Sequence, residues 1–103
     1  MSLAKSISDC IEDAINSNYG DNVAQVIFSN LHVRFGLNKT DIADHSSKFE
    51  QVLDNIFGEG PACLLIKSTV IKELHHHFQI EERAGKEGSN ISNTISQIVS
   101  NTY

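Results

Sequence analysis

Residues 49–74 read FEQVLDNIFGEGPACLLIKSTVIKEL, and this stretch decides the fold class. Its first part has apolar residues at steps of three and four, which is the spacing of an amphipathic helix. These residues are Phe49, Val52, Leu53, Ile56 and Phe57. Gly58 ends this helix, and the Gly60-Pro61 pair starts another, because proline at the first helical position loses no hydrogen bond.

The second helix of the stretch runs from Pro61 to about Phe78 and is apolar around most of its circumference. The residues of this apolar arc are Ala62, Cys63, Leu64, Leu65, Ile66, Thr69, Val70, Ile71, Leu74 and Phe78. An apolar arc this wide is typical of a helix buried among several others. We therefore predict an all-α fold, a compact bundle of four to five helices around this central helix.

Two further amphipathic helices precede this stretch. The first has an apolar stripe at Leu3, Ile7, Cys10, Ile11, Ala14 and Ile15, and residues 16–20 are predicted to end it. The second begins after Asp21 as its N-cap and ends at Gly36, which occupies the position of a left-handed C-terminal residue. Its stripe is Val23, Ala24, Ile27, Phe28, Leu31 and Phe35. Residues 47–50, Ser-Lys-Phe-Glu, have the form of a capping box for the third helix.

We divide the chain into a helical bundle, residues 1–80, and a linker with a C-terminal amphipathic helix, residues 81–103. The C-terminal helix has apolar residues at helical spacing, separated by Ser, Asn, Thr and Gln, which disfavour an isolated helix. The apolar residues are Ile91, Ile95, Ile98 and Val99. This helix must gain its order from packing, either as a cap on its own bundle or as a dimer contact on a second copy.

Length and composition describe one globular domain of 103 residues, with 40% hydrophobic and 20% charged residues. The formal net charge is -5, and scattered Lys and Arg do not form the basic footprint that nucleic acid or anionic lipid requires. No window approaches roughly 18 consecutive apolar residues, so we expect no membrane span. Cys10 and Cys63 lie on apolar helix faces, which favours reduced thiols and a cytoplasmic location.

Three consecutive histidines, His75, His76 and His77, are the first candidates for chemistry. They point about 100° apart on a helix and cannot converge on one ion. Metal pairs on helices need spacings of three or four, so the candidate ligands are Glu73 with His76 or His77. We expect instead that His77 is structural and partly buried on the apolar face, while His75 and His76 face solvent.

Two other stretches have part of the pattern of a functional motif. His45 and Lys48 form the His-x-x-Lys pattern of a histidine phosphotransfer helix, but at a helix entrance. Residues 40–57 have the outline of a helix-turn-helix unit, yet the second helix would expose Glu50, Gln51, Asp54 and Asn55. Base-reading helices bring Arg or Lys to phosphate and guanine, which disfavours DNA binding here.

The chain resembles a small thaumarchaeal signalling output domain, Nitrosopumilus output domain five, over residues 22–80. The resemblance is carried by Asp41-Ile42, by Lys48-Phe49-Glu50-x-x-Leu53-x-x-Ile56-Phe57-Gly58-Glu59-Gly60-x-Ala62, by Ile71-Lys72-Glu73-Leu74 and by Phe78. Pro61 and the tail after Gln79 depart from that pattern. The resemblance implies a compact helical module of archaeal type that acts in signal transduction, and it supplies no catalytic residues.

The sequence therefore predicts a non-enzymatic regulatory or protein-interaction module without catalytic residues or an obligatory cofactor. A histidine-dependent metal-binding or phosphotransfer domain is the alternative. We expect a homodimer with an unidentified protein partner besides, and closed two-fold symmetry. The candidate interaction residues are Val26, Val33, Ile91, Ile95, Ile98 and Val99.

Overall fold

The computed structural model describes residues 3–58, 60–79 and 91–102. Within these ranges the chain forms the helices α1 (Leu3–Tyr19), α2 (Asp21–Phe35), α3 (Ser46–Phe57), α4 (Pro61–Phe78) and α5 (Ile91–Thr102). A 3-10 helix, Lys39–Asp41, lies between α2 and α3, and no described residue belongs to a β-strand. The predicted all-α bundle is confirmed. The predicted linker, residues 81–90, lies outside the described residues.

Helices α1 to α4 form a closed ring in which each helix packs on its neighbours. Helix α1 packs against α2 and α4, and α3 packs against the same two helices, so α2 and α4 occupy diagonal positions. Helix α5 lies against α3 and α4, and the 3-10 helix lies against α1. Helix α4 is thus covered by three other helices, as its predicted central position requires.

One apolar core joins all five helices. Helix α1 supplies three fully buried isoleucines, Ile7, Ile11 and Ile15, and Phe49 is the largest fully buried side chain. Helix α5 contributes Ile91, Ile95 and Ile98 to the same core. The C-terminal helix therefore packs on its own bundle. Burial of its apolar stripe stabilises the helix, because its polar residues are weak helix formers.

Local backbone signals place several helix ends where the sequence predicts them. Gly36 has a φ of 67°, donates to the carbonyl of His32 at 2.8 Å and is followed by Leu37, whose N–H reaches the carbonyl of Leu31. This is the left-handed helix end for which glycine is favoured. Pro61 is the first residue of α4, after Gly60 as N-cap.

Three boundary predictions are wrong. Helix α1 continues through residues 16–19 to Tyr19, whose hydroxyl lies 3.0 Å from the hydroxyl of Thr69 on α4. Gly20, rather than Asp21, is the N-cap of α2. Helix α3 begins at Ser46 without a side-chain cap bond at its N-cap, because the Glu50 carboxylate of the expected box is bonded to α5 instead.

The apolar arc of α4 is narrower in the structure than the sequence predicts. Its buried residues are Cys63, Ile66, Val70 and Leu74. The expected burial of the whole arc is wrong, since Ala62 is exposed and the side chains of Leu64 and Leu65 are 64% and 59% exposed. Helices α1, α3 and α5 cover one side of α4, and Leu64 and Leu65 lie on the side away from them.

This difference predicts opposite effects for leucine truncations on one helix. Leu74→Ala should lower the free energy of unfolding by about 2–5 kcal/mol, because Leu74 is fully buried. The matched variant Leu65→Ala should change it by less than about 0.5 kcal/mol. Urea denaturation followed by circular dichroism measures both values. Equal losses for the two variants would contradict the packing of α4.

Candidate functional site

The three histidines lie in the last turns of α4 and do not converge. His75 is half-buried, whereas His76 and His77 are exposed. The prediction that His77 is the buried, structural histidine is therefore wrong. The buried stripe of α4 passes through Leu74 to the partly buried Phe78, four residues on, and His77 falls beside it. The His77 ring contacts the Phe78 ring edge-on, with 4.8 Å between their centroids.

The predicted metal candidates Glu73, His76 and His77 are not brought together with a third ligand. In the described part of the chain, no group of three His, Cys, Asp or Glu side chains could hold a metal ion. The backbone carbonyl of Glu73 accepts a hydrogen bond from the Cys10 thiol, with 3.6 Å between sulfur and oxygen.

The residues of the other two patterns have local structural contacts. His45 is exposed immediately before α3, and its backbone N–H donates to the backbone carbonyl of Asp41 at 3.0 Å. The Lys48 ammonium lies 5.1 Å from the centre of the Phe35 ring. Residues 40–57 contain most of the 3-10 helix and all of α3, which buries Phe49, Val52 and Leu53 in the core.

A polar cluster joins α3, α4 and α5. The Lys67 ammonium lies 2.8 Å from Oδ1 of Asp54 and 3.9 Å from Oε2 of Glu50. Oε1 of Glu50 accepts from the backbone N–H of Ser92 at 2.8 Å and from its hydroxyl at 3.1 Å. The Cys63 thiol donates to Oδ1 of Asp54 at 3.4 Å. We call these five residues the Lys67 cluster.

The charges of the Lys67 cluster are stabilised by their proximity. The hydrogen bond from Lys67 lowers the pKa of the Asp54 carboxyl below its usual range. Burial opposes the charge of Lys67, but its hydrogen bond to Asp54 and the nearby carboxylates outweigh burial and raise the pKa of Lys67. Asp54 and Lys67 therefore both remain charged at neutral pH. The Glu50 side chain bonds the first turn of α5, where a carboxylate is favoured.

Neither cysteine has the surroundings of an activated nucleophile. Burial, together with the carboxylates of Glu73 and Asp13, raises the pKa of the Cys10 thiol to about 11. Burial and the hydrogen bond to Asp54 likewise raise the pKa of the Cys63 thiol. Reactive cysteines need a lowered pKa and access to solvent, and both of these thiols are buried.

The outward side of α4 is apolar in its first half and basic in its second. We call it the α4 outer face, and its exposed residues are Pro61, Leu64, Leu65, Ser68, Lys72 and His76. These residues include no carboxylate, in a chain whose formal net charge is -5. Leu64 and Leu65 are both exposed on this face, and as consecutive helical residues they point about 100° apart.

The predicted interaction residues divide into two groups. Val26 and Val33 lie on the surface of α2, 47% and 80% exposed. Ile91, Ile95 and Ile98 are buried in the chain's own core and Val99 is partly buried against it, so this group has no apolar side to offer a second copy. The exposure of Leu64 and Leu65 could not be predicted from the sequence. On a helix with apolar residues over most of its circumference, the pattern does not show which of them neighbouring helices will bury.

Among the described residues, no helix combines the length and the apolar character needed to cross a bilayer. The longest helix, α4, has 18 residues and includes two lysines, Lys67 and Lys72, and one glutamate, Glu73.

The Lys67 cluster predicts a specific acid sensitivity. Since the pKa of Asp54 is lower in the folded state, its stabilising effect is present above the unfolded pKa of about 3.9 and is lost as pH falls through the folded value. As the pH falls below about 4, the Asp54→Asn variant should therefore lose less free energy of unfolding than the unmodified protein.

Urea unfolding at several pH values measures the change in the free energy of unfolding with pH. Asp9→Asn is the control, because the Asp9 carboxylate forms an exposed ion pair with Lys5 at 3.0 Å. Equal acid slopes in Asp54→Asn and the unmodified protein would contradict the role of the cluster.

Comparisons with known proteins complete the description of the site. No family model matches the chain, and neither a curated protein nor a solved structure matches it.

Proposed function

We propose that this protein is a non-enzymatic protein-interaction module that forms a homodimer through the α4 outer face. The observation that carries the proposal is the exposure of two consecutive leucines, Leu64 at 64% and Leu65 at 59%, on a helix whose opposite side is firmly packed. Contiguous exposed apolar side chains on a globular domain mark interaction sites.

The energetics of such a contact favour a modest affinity. Fully burying a leucine side chain contributes roughly 1.5–3 kcal/mol, and a two-fold contact would bury Leu64 and Leu65 from both copies. Association itself costs an estimated 4–15 kcal/mol in lost freedom, which is of the same size as the gain of at most about 6–12 kcal/mol from four leucines. We therefore expect a weak dimer, with a dissociation constant no tighter than about 1 µM.

Charge favours a second copy at this face over other surfaces of the chain. Residues 1–60 carry nine Asp and Glu against four Lys and Arg, so most surfaces of this part would repel a second copy. The α4 outer face has Lys72 as its charged side chain, seven residues after Leu65. In an antiparallel pair centred on Leu65, the two Lys72 residues would lie about 21 Å apart along the axis, beyond the screening length of about 8 Å.

A regulatory role in the cytoplasm is the wider form of the proposal. The unpaired state of Cys10 and Cys63 supports a reducing compartment. The resemblance of residues 22–80 to a thaumarchaeal output domain favours a place in signal transduction, with the dimer as the form that a partner would recognise. This wider role rests on the resemblance, whereas the dimer rests on Leu64 and Leu65.

The dimer is tested by placing charge on the α4 outer face. Leu64→Glu with Leu65→Glu should make the protein monomeric, because two-fold symmetry would bring four carboxylates into one contact. The control is Val26→Glu with Val33→Glu, which adds the same charge to α2 and should leave the dimer intact. Sedimentation velocity over a concentration series measures the mass, and circular dichroism verifies the fold of each variant.

Two results would overturn the proposed dimer. We expect the unmodified protein to dimerise below about 100 µM, and a protein that remains monomeric at that concentration has no such contact. A dimer that survives Leu64→Glu with Leu65→Glu but is lost in Val26→Glu with Val33→Glu would place the interface on α2 instead.

A further inference from the structure

A groove between α3 and α4 holds α5. Three isoleucines of α5, Ile91, Ile95 and Ile98, are no more than 2% exposed, and they share one apolar core with buried residues of α3 and α4. At the start of α5, the backbone N–H and the hydroxyl of Ser92 both donate to Glu50 of α3, at 2.8 Å and 3.1 Å. The groove therefore binds α5 through an apolar stripe and through a polar contact at the helix N-terminus.

The ring of α1 to α4 is closed by contacts that do not involve α5. Each helix of the ring packs against two others of the ring, whereas α5 lies against α3 and α4. Helix α5 is rich in Ser, Asn, Thr and Gln, which are weak helix formers, so its order depends on packing in the groove. When α5 leaves the groove, the ring can stay closed, and two complementary apolar surfaces become exposed to water.

The chain between α4 and α5 is long enough for α5 to reach another molecule. Residues 79–90, twelve in number, separate Phe78 from Ile91. Twelve residues can span up to about 40 Å, whereas the longest dimension of the described structure is 32 Å. Helix α5 can therefore leave its own groove and enter the groove of a neighbouring copy without any loss of helix in α4.

We propose that two copies of this protein swap their α5 helices, so that the groove of each copy holds α5 of the other. The swapped dimer repeats the contacts that α5 makes within one chain, including the hydrogen bonds from Ser92 to Glu50. Swapping an identical element is a low-cost route to a dimer, because no new interface has to form. The swap uses the covered side of α4 and is independent of the contact proposed for Leu64 and Leu65.

Helix α5 of the same chain competes with α5 of a second copy. A helix tethered to its own groove by a short connection has an effective concentration on the order of millimolar. The swapped dimer is therefore a minor form of the unmodified protein at micromolar concentrations. It becomes the favoured form when one chain has a defective α5 and the other chain has a defective groove.

The test mixes two full-length variants with complementary defects. Ile95→Asp places a carboxylate in the buried stripe of α5 and leaves the groove of that chain empty. Glu50→Lys removes the acceptor for Ser92 and places a like charge beside Lys67, which releases the intact α5 of that chain. In sedimentation velocity, an equimolar mixture at about 100 µM should form a 1:1 heterodimer at least about tenfold tighter than the self-association of either variant.

Both chains also carry Leu64→Glu and Leu65→Glu, so that a dimer through the α4 outer face does not contribute to the measured mass. The matched control replaces Ile95→Asp with Ser96→Asp, an exposed position on the same helix. In this control α5 stays in its own groove, and the mixture with the Glu50→Lys chain should remain monomeric. Circular dichroism verifies that each variant keeps the helices of the ring.

A second measurement applies if Ile95→Asp unfolds the ring. The chain with Leu64→Glu and Leu65→Glu alone is refolded from urea at about 1 mM and at about 10 µM, and each sample is analysed by sedimentation velocity. Refolding near the effective concentration of the tethered helix should yield a dimer that is absent after dilute refolding.

Three outcomes would overturn the proposal. The first is a mixture of folded Ile95→Asp and Glu50→Lys chains that remains monomeric at about 100 µM. The second is an equally tight heterodimer with the Ser96→Asp control, which would show that the contact does not require an empty groove. The third is the absence of a dimer after refolding at about 1 mM.

Discussion

The contact between Lys67 of α4 and the carboxylates of Asp54 and Glu50 on α3 fixes the arrangement of the last three helices. Glu50 uses one oxygen toward Lys67 and the other toward the N-terminus of α5, so a single side chain links α3, α4 and α5. Lys67 and Glu50 are largely withdrawn from water, with 19% and 16% of their side chains exposed, so leaving either one unpaired would destabilise the protein. Asp54 is 40% exposed, and its pair with Lys67 contributes less. Burial of the three isoleucines of α5 stabilises its packing on the bundle. The bonds of Glu50 fix the position of the N-terminus of α5 relative to α3.

The distribution of apolar residues separates the interior of the bundle from its contact surfaces. The ring of α1 to α4 buries one side of each helix, and the diagonal helices α2 and α4 carry Val26, Val33, Leu64 and Leu65 on their outward sides.

Much of the fold could be predicted from apolar spacing, since the helices with strong stripes and the helix ends at Gly36 and Gly60-Pro61 follow from local rules. The exposure of Leu64 and Leu65 and the position of His77 could not. Both depend on the side of α4 against which the other helices pack. The sequence of a helix that is apolar over most of its circumference does not show which side that is. Glu50 and Asp54, and likewise Cys63 and Lys67, are four residues apart on their helices, so the cluster had a detectable spacing. Its meaning depended on the register between α3 and α4, which no local pattern gives.

The hydrogen bonds between Glu50 and Ser92 join residues 42 positions apart in the chain. The ring of α1 to α4 is closed by contacts that span still more of the chain, such as the hydrogen bond from the Cys10 thiol to the carbonyl of Glu73, 63 positions away. Helix α5 differs in its composition, because its Ser, Asn, Thr and Gln residues disfavour an isolated helix and its order depends on packing. It is therefore the element expected to open first. Backbone amides of α5 are therefore expected to exchange with solvent hydrogen by a partial opening that leaves the ring of α1 to α4 intact.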